Sequence, residues 1–139
     1  MELLAPPKSM QLLDVGLETL HEQSFEWLNE IDFWRDEVAF FYSLLVEKTL
    51  KSVPINSRDT IENIENEILS ISDGELDELQ HAVEEHEKFL SHLLESNYDG
   101  EETYREKHRQ LDYEFMNFKK RFKSLNKNVL SLLKQIKKT

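Results

Sequence analysis

Apolar residues recur along this chain at alternating steps of three and four, the spacing that gathers side chains on one side of an α-helix. In the first stretch the stripe runs through Leu13, Leu17, Leu20, Leu28, Ile31, Val38 and Leu45, with Ser24, Arg35 and Tyr42 at the intervening positions. In the second it runs through Ile61, Ile64, Ile68, Ile71, Leu79, Ala82, Phe89 and Leu93, with Glu75 and His86 in the same row. In the third it carries Tyr104, Leu111, Phe115, Phe118, Phe122, Leu125, Val129, Leu132 and Ile136, with His108 among them. Breakers stand between these stretches. Pro6-Pro7 precede the first, with Ser9 as an N-cap, Pro54 separates the first two, and Asn97-Tyr98-Asp99-Gly100 separates the last two. The pattern predicts three helices over about 9–51, 57–96 and 101–137, each roughly 55–65 Å long at 1.5 Å per residue. Short connections make neighbours antiparallel, so the expected fold is an all-α, up-down-up bundle forming one domain over 1–139, with 1–8 as an N-terminal arm.

Ser72-Asp73-Gly74 is the soft spot. It can end one helix and begin another, which gives a four-helix reading. A stripe that passes through in phase, with Gly74 on the outer face, favours one continuous, bent helix.

Polar residues inside the stripes are the candidate chemistry. Reflecting the first two helices about residue 54 puts Arg35 level with Glu75, and reflecting the last two about residue 98 brings Arg121 to the same height. An Arg35–Glu75 ion pair in mid-bundle is expected. It fixes register more than it adds stability, because desolvation offsets the attraction. The same construction puts His86 level with His21 and near His108. Three imidazoles in one layer can hold a transition metal such as zinc or iron, with Glu22, Glu85 or Glu87 supplying a carboxylate. Neutral imidazoles joined by hydrogen bonds need no metal, and that is the ordinary state of core histidines. His81 and His92 project outward. Glu18-x-x-His21 and Glu78-x-x-His81 have the spacing of carboxylate-bridged metal bundles, but Glu18, Glu78 and His81 point away from their stripes. Glu62-x-x-Glu65 lies mostly outside its stripe in a chain rich in glutamate. No phosphate-cradling glycine loop and no nucleophile elbow is present.

The first helix carries more apolar surface than one stripe needs. Phe33, Phe40 and Leu44 fall opposite the core, while Trp27, Trp34 and Phe41 widen the core edge. An outward row of this kind marks a contact site, and a two-fold homodimer through the first helix is the expected use. The alternative is that residues 1–8, with Leu3 and Leu4, fold back over part of it.

Composition sharpens the picture. With 3 Gly and 3 Pro in 139 residues, sheet folds that need many turns are excluded. The net charge of −11 is unevenly placed: residues 1–118 hold all 28 acids against nine cations, and residues 119–139 hold the other eight cations and no acid. An acidic body argues against nucleic acid as a partner, and the basic end complements a helix C-terminus. The absence of cysteine removes disulfides, thiol catalysis and thiolate zinc sites, and suits a reducing compartment. The start Met-Glu-Leu-Leu-Ala-Pro-Pro-Lys is short and acidic, unlike a signal peptide. Val38 to Val46, the most apolar run, is far below the roughly 20 residues that span a bilayer, so no membrane partner is expected; contact of the lysine-rich end of the third helix with nucleic acid or a lipid surface is a third reading.

Three sets of residues carry a family resemblance: Leu20-His21-Glu22 with Trp27 through Glu37, Leu76 through His81 with His86-Glu87, and Phe115-x-x-Phe118-x-x-x-Phe122. Together they resemble an uncharacterised group of small bacterial proteins, typical of Bacteroidetes, that are expected to be long-helix bundles. The resemblance implies no substrate and no catalytic residue. In outline the chain is also similar to spectrin repeats, with longer helices. The sequence thus points to a non-enzymatic, cytoplasmic helical protein acting through protein contact as a homodimer, with a metal-binding bundle using His21, His86 and His108 as the alternative.

Overall fold

A computed structural model describes residues 16–50, 55–97 and 99–138. Among them every regular element is helical: α1 (Leu17–Leu50), α2 (Ile55–Ser70), a π-helical segment (Ile71–Glu75), α3 (Leu76–Glu95) and α4 (Glu101–Lys138). The helix count is three or four according to whether the π segment is taken to join α2 to α3 or to divide them. The expected start near residue 9 with its Ser9 cap, the arm 1–8 and the Pro54 break lie outside the described residues. The Gly16 carbonyl accepts hydrogen bonds from the Thr19 and Leu20 N–H groups and so opens α1. Between α3 and α4, Asn97 (φ 57°) and Gly100 (φ 92°) adopt the left-handed backbone that a sharp reversal needs. The Gly100 carbonyl then accepts from the Tyr104 N–H as α4 begins.

The π segment corrects the stripe expected for the second stretch. The buried residues are Ile61, Ile64, Ile68, Ile71, Leu76, Leu79, Val83, His86, Leu90 and Leu93. Their steps alternate between three and four except from Ile71 to Leu76, where the step is five. A π turn holds one residue more than an α turn, so the stripe resumes one position later. Leu76, Val83 and Leu90 therefore fill the core where Glu75, Ala82 and Phe89 were expected, and those three are only half-buried. Leu79, His86 and Leu93 satisfy both readings. A Cβ placed on Gly74 would meet nothing within 4 Å.

The described residues form two compact units, 16–30 with 79–117 and 31–78 with 118–138. In the first, Leu20, Ser24 and Trp27 of α1 pack with Val83, His86, Leu90 and Leu93 of α3 and with Tyr104, His108, Leu111 and Phe115 of α4. In the second, Ile31, Trp34, Val38 and Leu45 of α1 share a core with Ile61, Ile64, Ile68, Ile71 and Leu76, and with Phe118, Phe122, Leu125, Val129 and Leu132 of α4. Trp34 lies against Phe118 and Phe122, with ring centroids 4.7 and 5.9 Å away. Each fully buried large side chain removes about 1.5–3 kcal/mol worth of apolar surface from water. Both units therefore rest on the stripes rather than on the polar pairs described next.

Candidate functional site

The first unit contains a buried polar layer. His86 and His108 meet, with His86 Nε2 3.0 Å from His108 Nδ1, and His108 Nε2 lies 2.8 Å from Gln23 Oε1. The amide oxygen of Gln23 can only accept, so His108 carries its proton on Nε2. Its Nδ1 is then the acceptor for His86, whose proton is on Nε2. The three side chains form a hydrogen-bonded chain with one direction, from His86 through His108 to Gln23. His86 Nδ1, at the head of the chain, is a bare lone pair, buried and without a hydrogen bond among the described residues.

Aromatic rings clamp this chain. The His86 ring stacks on Tyr104 with centroids 4.1 Å apart and planes 3° from parallel. Trp27 stacks on His108 at 4.6 Å and on Phe115 at 5.0 Å. Burial holds the His86 imidazole down to about 4, helped by the neighbouring His108 and Lys107. Burial also holds His108 down to about 4, with Arg105 acting in the same direction and Asp112 opposing. Both rings are neutral at pH 7, as the directed chain requires. Burial, and then the Glu87 carboxylate, push the Tyr104 phenol above its ordinary range, while Arg105 acts against them. The Tyr104 and Ser24 hydroxyl oxygens are buried and make no hydrogen bond among the described residues.

The expected layer of three histidines resolves into two parts. His21 does not join His86 and His108. Its Nδ1 pairs with the Glu87 carboxylate, and its side chain stays 53% exposed. His21 sits on the shoulder of the stripe, so pairing with the half-buried Glu87 carboxylate costs it less than full burial would. Among the described residues no group of three His, Asp or Glu side chains is arranged to hold a metal ion. The ring nitrogens that would ligate one on His108 are both taken by hydrogen bonds. Beside the His21–Glu87 pair is an open cleft of about 620 Å³, walled by Leu17, Leu90 and Leu94 with Glu18 at its edge.

In the second unit Arg35 and Glu75 each form an ion pair, but with other partners than expected. Arg35 Nη2 reaches Asp77 Oδ1 at 2.7 Å, and its Nη1 donates to the Ser72 carbonyl at 3.3 Å. Arg121 Nη2 pairs with Glu75 Oε2, and its guanidinium lies 5.8 Å from the Phe118 ring centroid. Neither pair is buried: the side chains of Arg35 and Glu75 are 30% and 34% exposed. The π turn explains the exchange. It rotates Glu75 off the core stripe toward α4, and leaves the Ser72 carbonyl, at the loosened turn, for Arg35. Glu62 is exposed, and half-buried Glu65 is raised above the usual carboxylate range by burial and then by Glu62.

Phe33 and Phe40 are 61% and 60% exposed on the outer face of α1, and Leu44 beside them is half-buried. Phe25, also 60% exposed, belongs to the first unit and was not singled out by the stripe. Trp27 and Trp34 lie in the cores rather than at their edge, and Phe41 is half-buried. Gln23 and Asp77, which complete the polar contacts, were also missed; both sit at ordinary polar positions that no spacing distinguishes. No helix among the described residues is long and apolar enough to cross a membrane. Comparison with protein-family models, curated proteins and solved structures found no match.

Proposed function

We propose that this chain acts by protein contact rather than catalysis, associating with itself through the outer face of α1 that carries Phe33, Phe40 and Leu44. The observation that carries this reading is the exposure of two phenylalanines on the side of α1 away from the core. Single exposed apolar residues are ordinary, but two phenylalanines seven residues apart with a leucine beside them form a continuous ridge. A homodimer with two-fold symmetry is the simplest assembly that covers it. The three helical stretches are read as an antiparallel up-down-up bundle, supported by the short connections and by cores that draw on all three stretches. A cytoplasmic setting suits a chain without cysteine. The polar layer has the character of a core element: its two histidines are buried, neutral and hydrogen-bonded to each other.

Solution mass tests this. Light scattering at tens of micromolar should give twice the 16.6 kDa of the chain, and Phe33→Ser with Phe40→Ser should reduce it to one chain with helicity unchanged. A single-chain mass for the unaltered protein at that concentration would overturn the reading.

A further inference from the structure

The ridge on α1 is not merely apolar. Asp36, Glu37 and Glu47 lie on the same outer face as Phe33, Phe40 and Leu44, by their spacing along the helix, with Lys48 beside them and Asp32 at the edge of the face. Asp32 and Asp36 are one helical turn apart, a like-charge pair that repels in an isolated helix. The second unit carries the opposite face on α4. Lys123, Lys127, Leu130 and Lys134 follow at steps of four, three and four, and all four are exposed. Leu130 is 54% exposed. Lys123 and Lys127 are again a like-charge pair one turn apart, in a stretch with no acid at all. At 1.5 Å per residue the acidic face from Asp36 to Glu47 and the basic face from Lys123 to Lys134 each extend roughly 17 Å, so the two are matched in length.

Each face points away from the core of its own unit, so one copy of the chain does not bring them together. A second copy does. We propose that the acidic, phenylalanine-bearing face of α1 in one protomer packs on the basic, Leu130-bearing face of α4 in a second protomer. This inference rests on self-association through α1 and names the surface that meets it. Under two-fold symmetry the contact occurs twice, because each protomer contributes one acidic and one basic face. Phe33 and Phe40 then pack against Leu130 and the lysine stems, whose methylene groups cover apolar surface while the ammonium groups reach the aspartates. The charges lie at the edge of the contact and are open to screening, so added salt weakens the dimer.

Charge reversal tests the pairing. Asp32→Lys with Asp36→Lys and Glu37→Lys makes both faces positive, and Lys123→Glu with Lys127→Glu and Lys134→Glu makes both negative. Each variant alone should run as a monomer with unchanged helicity by circular dichroism. An equimolar mixture of the two should give a dimer, as should the chain carrying all six substitutions, because opposite charges face each other again. If both variants stay dimeric while Phe33→Ser with Phe40→Ser abolishes the dimer, the acid–base pairing is overturned and the α1 contact stands. Monomeric variants whose mixture also stays monomeric overturn the pairing as well. An unaltered chain that is monomeric at low salt overturns both readings.

Discussion

At the scale of single residues, the polar layer sets a dependence on acid. His86 and His108 bind a proton near 6.5 when the chain is unfolded and only near 4 in the folded layer. Between those values the unfolded chain holds more protons than the folded one. The stability of neutral burial is therefore complete above about pH 6.5 and is lost as pH falls toward 4, by about 1.4 kcal/mol per pH unit for each histidine. The urea midpoint should fall steeply from pH 6.5 to 4.5. In a His86→Phe, His108→Leu variant that part of the slope should flatten; an equally steep fall in the variant would contradict the assignment. The pairing of His86 with His108 was legible in the sequence, because both sit on stripes and reflection about the turn brings them within one helical turn. The place of His21 was not. A shoulder residue can face in or out, and the choice is made by Glu87, one of many acids in the chain. Gln23 and Asp77 were illegible for the same reason: spacing along one helix constrains which residues are buried, but not which exposed polar group a neighbouring helix will reach.

At the scale of elements, the π segment decides which residues of α3 are buried. Its trace was present in the sequence as a charged residue, Glu75, falling on an otherwise apolar row, with Leu76, Val83 and Leu90 one position behind. Two consecutive steps of four hid the extra residue, since a stripe allowed to drift slightly accommodates it. Removing that residue should restore a plain α-helix: deletion of Gly74 leaves Ile71 and Leu76 four apart, and both stripes stay in phase. Helicity should be kept and the melting temperature should stay within a few degrees. Deletion of Glu84, by contrast, turns His86, Leu90 and Leu93 by about 100° relative to Leu79 and Val83, and should cost most of the stability of the first unit. Thermal melts followed by circular dichroism separate the two outcomes. The break between α3 and α4 was the most legible feature. Gly100 stands at the break where a positive φ is needed, and α4 begins at Glu101 as the apolar rhythm required.

At the scale of the whole molecule, composition excluded sheet folds, and every regular element among the described residues is a helix. The division into two compact units was not legible, because the stripes of α1 and α4 run through its boundaries, at residues 30–31 and 117–118, without a break in rhythm. The segregation of charge was legible, and the proposed pairing of two copies rests on it. The division also bears on how the chain is made. Each unit is assembled from two stretches far apart in sequence, and each needs part of α4: Tyr104, His108 and Phe115 for one, Phe118, Phe122 and Val129 for the other. A chain halted at Gly100 should therefore be largely unfolded by circular dichroism, and restored helicity on adding a peptide covering 101–139 would show that only those contacts were missing. During synthesis neither core can close before α4 leaves the ribosome, so α1, with Trp27, Ile31, Trp34 and Val38, waits uncovered for most of translation. The nascent chain's need for protection is written into the order of its helices.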